Sequence, residues 1–65
     1  MIRISDQFVS INHYKKIIKI GISEIHIEMK HHFLLISGED LIISYLNKDE
    51  IILKGKILKV DFNYV

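Results

Sequence analysis

Four histidines, His13, His26, His31 and His32, are the side chains best suited to hold a metal ion. Zinc takes three or four converging ligands, often with cysteine among them in structural sites, and the chain has no cysteine. Neighbours on a strand point to opposite faces, so His31 and His32 converge only if they sit in a turn. They read as a solvated hairpin tip, with no metal. The acidic pairs Glu39-Asp40 and Asp49-Glu50 flank Gly38 and Asn47, where turn residues belong. Paired carboxylates do acid–base work when their surroundings differ, and nothing beside these two pairs provides that difference. Ser5, Ser10, Ser23, Ser37 and Ser44 lie outside any Gly-x-Ser-x-Gly elbow. Gly21, Gly38 and Gly55 are too widely separated for a phosphate-binding loop. The expectation is a protein without catalytic residues and without a cofactor.

Binding chemistry is better represented. Lys54, Lys56 and Lys59 form one basic cluster, and Lys15, Lys16 and Lys19 a second. Together with Tyr14, Tyr45, Tyr64, Phe8, Phe33 and Phe62 they could serve an RNA backbone and its bases. That makes a small RNA-binding β-barrel, Sm-like in size, the alternative reading. The net charge of +1 argues against it, as does the lack of RNA-recognition signatures. Lysines on edge strands also have a plainer use, which is to block uncontrolled strand pairing. Most of the aromatics fit core packing. Tyr45, Phe62 and Tyr64 are the candidates for contact with a protein partner.

The elements that must position these residues have a period of two. Ile18, Ile20 and Ile22 alternate with Lys19 and Gly21, and Ile25, Ile27 and Met29 with His26 and Glu28. Leu58, Val60, Phe62 and Tyr64 alternate with Lys59, Asp61 and Asn63. Such alternation places one set on one face of a strand. The apolar parity changes at Ser23, which implies a turn or bulge, and again near Gly55, which implies a bulge or bend. Ser37-Gly38-Glu39-Asp40 and Asn47-Lys48-Asp49 carry the clearest turn signals. Gly38, Asp40, Asn47 and Gly55 are therefore the expected structural turn residues. The spacing predicts strands over 8–12, 16–22, 24–30, 33–37, 41–46 and 50–63, the last broken near Gly55. Short successive strands with tight links imply one all-β domain of about six short, mostly antiparallel strands, as a curled sheet or a small barrel.

Composition agrees. The 65 residues suffice for one domain, spanning 1–65, and include fifteen isoleucines but no alanine, proline or tryptophan. Isoleucine is β-branched and favours the pleated surface of a strand. A chain this short buries only about 60% of the surface exposed when unfolded, so self-association or docking would add stability. The longest apolar run, Phe33-Leu34-Leu35-Ile36, is far short of a membrane span, and Met1 to Asp6 form no signal h-region. A cytoplasmic protein is expected. Ile, Lys, Asn, Phe and Tyr have A- and T-rich codons, which suits a low-GC bacterium.

Leu35-Ile36-Ser37-Gly38-Glu39-Asp40-Leu41-Ile42-Ile43 forms a strand, a Gly-polar-polar-Leu turn and a following strand. Tyr45-Leu46-Asn47-Lys48-Asp49-Glu50-Ile51-Ile52-Leu53 forms the next link, and Lys54 to Phe62 a Gly followed by an apolar strand ending in an aromatic. With Val9 to Lys15 and Glu24 to Glu28 in the first half, this order resembles the YabP/YqfC family of small bacterial sporulation proteins, nearest its YqfC branch. His31-His32 departs from the small residue common there. The resemblance implies a non-enzymatic role in endospore formation, in the mother cell of a spore-forming Firmicute, with the forespore boundary as the candidate location. It also implies a membrane-associated sporulation partner of the YqfD or YabQ kind. A homo-oligomer is compatible with it. The natural binding mode for such a domain is an exposed strand edge or sheet face.

Overall fold

A computed structural model describes residues 2–64. Six strands form one all-antiparallel sheet: β1 (Ile2–Ile4), β2 (Phe8–Asn12), β3 (Lys16–Ile20), β4 (Glu24–Glu28), β5 (His32–Leu46) and β6 (Glu50–Tyr64). Their order across the sheet is β1-β2-β6-β5-β4-β3. The fold is all-β, and the sheet does not close. Among the described residues no helix is long and apolar enough to cross a membrane.

Topology forces the sheet to curl. Strands β2 and β3 have β6, β5 and β4 between them, yet only His13, Tyr14 and Lys15 join the two. Four strand spacings in a flat sheet come to about 19 Å. Four extended residues span about 14 Å. The sheet must therefore bend until the start of β3 approaches the end of β2. Three hydrogen bonds hold the link down. The His13 N–H donates to the Asp49 carbonyl at 2.6 Å, and the Lys15 N–H donates to the Glu28 carbonyl at 2.8 Å. The Tyr14 hydroxyl donates to the Asn47 carbonyl at 2.6 Å.

The bend runs through the two long strands. The first half of β5 pairs with β4 and with the second half of β6. The second half of β5 pairs with the first half of β6, which pairs in turn with β2. Two four-stranded half-sheets result. The first holds β3, β4 and residues 32–37 and 59–64; the second holds β1, β2 and residues 42–46 and 50–54.

Between them the chain crosses itself closely. A Cβ on Gly38 would overlap the carbonyl oxygen of Lys56 on the partner strand. Gly55 has φ 138°, a conformation that L side chains rarely adopt, and a Cβ there would stand 2.7 Å from the Asp40 carbonyl oxygen. Asp40, also left-handed at φ 53°, lies in the same crossing. Register shifts at Ser37/Gly38, at Glu39/Ile42 and at Ile43/Tyr45 let β5 and β6 change faces as they bend.

Several expectations are corrected here. Ser37 to Asp40 is not a turn between two strands but a bulged bend inside the continuous β5. Gly38 is accordingly a buried crossing point, and Gly55 a bend residue inside an unbroken β6. The parity change assigned to Gly55 falls at Leu58, the extra residue between the pairs Gly38–Ile57 and Ser37–Lys59. Strands 16–22 and 24–30 end earlier, at Ile20 and Glu28, and β1 was not anticipated. Ile18 and Ile20 are exposed on β3, an edge strand with a register shift between Ile17 and Lys19, and Ile22 is exposed in the link beyond its end. The best-covered residue of β3 is Ile17.

The two inner faces make one core. Ile25, Ile27, Leu34 and Ile36 come from the first half-sheet, and Val9, Ile11, Ile51 and Leu53 from the second; all eight are fully buried. Met29, Leu41 and Ile57 fill the space around them. Full burial of a side chain of this size contributes about 2 kcal/mol relative to exposure.

Candidate interaction site

Among the described residues no three His, Asp or Glu side chains gather as a metal site, and no pocket opens in the surface. The histidines are dispersed. His13 is in the β2–β3 link at φ 61°, His31 is exposed in the β4–β5 hairpin, and His26 stands 3.9 Å from Glu24 on the outside of β4. His32 points inward at the start of β5, where its ring lies 5.6 Å from Phe62 and 5.7 Å from Tyr64. Its Nε2 is buried without a hydrogen-bond partner.

The acidic pairs separate in the same way. Glu39 lies 3.7 Å from Lys56, and Asp49 and Glu50 belong to the β5–β6 hairpin. Asn47 organises that hairpin. Its side-chain oxygen accepts from the Asp49 N–H at 2.8 Å and the Glu50 N–H at 2.7 Å, a side-chain copy of a backbone turn. Its amide also donates to the Tyr45 hydroxyl at 3.0 Å. Of the six lysines in the two basic clusters, Lys15, Lys19, Lys56 and Lys59 each face a carboxylate. This neutralises most of the positive charge that a phosphate backbone would need.

What the surface does offer is apolar area. Large exposed hydrophobic side chains include Ile42, Tyr45, Leu58, Phe62 and Tyr64. Register places some of them together. Opposed residues of an antiparallel pair share a face. On the outside of the second half-sheet, Ile42 opposes Lys54, which opposes Phe8, and Tyr45 opposes Ile52, which opposes Ser10. Ile42 is 58% exposed, Tyr45 48% and Phe8 36%, around the half-buried Ile52. Ser10 is buried at the edge of this group and donates to Glu50 at 3.3 Å.

The three predicted contact residues thus divide. Tyr45 belongs to this face, whereas Phe62 and Tyr64 lie at the far end of β6 in the other half-sheet. Sequence reasoning missed Ile42 and Ile52, and offered Phe8 only as a base-stacking candidate. The run Leu41-Ile42-Ile43 has no alternation to say which residue faces out, and only its register against β6 decides. Compared with family models, curated proteins and solved structures, the chain matches none.

Proposed function

We propose that this domain is a non-enzymatic protein-binding module serving endospore formation, as its resemblance to the YabP/YqfC family implies. Its docking surface is the outer face of the second half-sheet. The observation that carries this reading is the apolar group of Phe8, Ile42, Tyr45 and Ile52, held in register on one face of the sheet and open to solvent. Exposed apolar surface of this kind marks sites where other proteins dock, and aromatic anchors such as Tyr45 are favoured at their centres. The partner is a membrane-associated sporulation protein of the YqfD or YabQ kind, which would hold the domain in the mother cell at the forespore boundary.

The test is a fluorescently tagged copy followed through sporulation in its own host, beside the double variant Ile42→Ser/Tyr45→Ser. The wild type should concentrate at the forespore boundary and co-purify with the membrane partner. The variant should stay folded but spread through the mother cell. Diffuse wild-type signal in growing cells, together with RNA binding that strengthens as salt falls, would overturn the reading in favour of an RNA-binding domain.

A further inference from the structure

The sheet leaves four edges unpaired, and they differ in how they are protected. Strand β1 is three residues long and carries Arg3. Strand β3 carries Lys16 and Lys19 and is interrupted at Ile18. The second half of β5 is disturbed by shifts at Glu39/Ile42 and at Ile43/Tyr45. Shortness, lysine and bulges are the usual means of blunting an edge. The second half of β6 has none of the three beyond Lys59. From Lys59 to Tyr64 it runs in unbroken register with β5 on one side, and among the described residues no strand lies against its other side.

We infer that a second copy of this chain adds to that edge, antiparallel, about a two-fold axis passing through Phe62. The segment Val60-Asp61-Phe62-Asn63-Tyr64 is complementary to itself in this register. Phe62 opposes the Phe62 of the second copy, Val60 opposes Tyr64, and the Asp61 carboxylate opposes the Asn63 amide, a donor. The two registers shifted toward the start of the segment, which also keep inner residues opposite inner residues, are worse. With Asp61 on the axis, two carboxylates stand directly opposite each other, which is destabilising. With Val60 on the axis, pairing runs into the extra residue at Leu58 and into Ile57, whose N–H already donates to the Asp6 carbonyl at 2.9 Å.

Pairing would cover side chains that the single chain leaves in water, Phe62 at 43% exposure and Tyr64 at 80%. It would join the two first half-sheets into one continuous eight-stranded sheet. The edge of β3 is less suited to a second copy, because its register is interrupted between Ile17 and Lys19 and it carries two lysines. The inference is independent of the proposed docking face, which remains open at either end of the dimer.

Five residues a side make a small interface, so the dissociation constant is expected on the order of 1–100 μM. Sedimentation across a concentration series spanning that range tests the inference. The wild type should pass from one chain to two. Phe62→Glu and Phe62→Lys should each raise the dissociation constant at least about tenfold by placing like charges on the axis. An equimolar mixture of the two variants should regain the dimer, because only at the axis does a residue meet itself. Tyr64→Glu, at a side chain too exposed to unfold the domain, should also weaken association. Ile42→Ser/Tyr45→Ser should dimerise like the wild type, which separates this result from that of the partner surface. A wild type that stays monomeric throughout, variants that dimerise unchanged, or a mixture that fails to recover association would each overturn the inference.

Discussion

The two half-sheets bury inner faces of nearly the same chemistry and show different outer faces to solvent, the first with ion pairs around half-buried Phe33 and Leu35, the second with more exposed apolar area. On the first, Glu24 meets Lys19 at 3.3 Å, Glu28 meets Lys15 at 3.4 Å and Asp61 meets Lys59 at 3.4 Å. On the second, Phe8, Ile42, Ile52 and Tyr45 share the outer face, with Lys54 among them. Burial of the inner faces drives the fold, and either outer face is compatible with it. The outer faces are therefore where binding specificity can be written without disturbing stability. The charged face keeps itself solvated, while the apolar one gains from being covered.

The comparison breaks most severely at the crossing that both halves share. Gly38→Ala should cost about 4 kcal/mol or abolish folding, because the new methyl meets the Lys56 backbone, which cannot move without unpairing β6. A denaturant titration reads it. Next come matched deletions in the two cores. Ile27→Ala and Leu53→Ala remove fully buried side chains from opposite halves, and each should cost about 3 kcal/mol with an unchanged denaturant slope. Unequal costs with a reduced slope would mean that one half-sheet survives alone.

Two changes of smaller size and opposite sign distinguish the ends of the long hairpin. Asn47→Ala strips two backbone N–H groups of their acceptor in the second half and should cost about 1 kcal/mol. His32→Phe replaces an unpartnered buried nitrogen in the first half and should stabilise by about 1 kcal/mol in thermal melts. The smallest effect on stability is expected on the outer faces. Glu24→Ala, which breaks an exposed ion pair, and Ile42→Ser should each shift stability by less than about 0.5 kcal/mol. Only the second should weaken partner capture in a co-purification assay.

Much of the inner face was legible in the chain. Ile25 and Ile27 alternate with His26 and Glu28, and Val9 and Ile11 with Ser10, as a half-buried strand requires. Asn47 was legible as a turn because its chemistry is local, an amide oxygen reaching N–H groups two and three residues ahead. Gly38 and Asp40 were misread because a Gly-Glu-Asp stretch looks the same in a tight turn and in a bulged bend. What separates the two is the Lys56 backbone lying against Gly38, a contact between residues distant in sequence. Ile18, Ile20 and Ile22 show the converse failure. Their alternation is clean, but Ile18 and Ile20 sit on an edge strand whose register shifts after Ile17, and Ile22 lies beyond its end.

The sequence by itself determined the class of the fold and part of the core, since β-branched residues at a period of two favour strands whatever surrounds them. It determined the Asn47 turn for the same local reason. Only the tertiary structure decided that β2 pairs with β6 rather than β3, that two strands of fifteen residues bend through both half-sheets, and which edge and which outer face stay uncovered. Those outcomes depend on pairing between distant segments, where a three-residue link and two close backbone crossings select one arrangement among several with equally good local patterns.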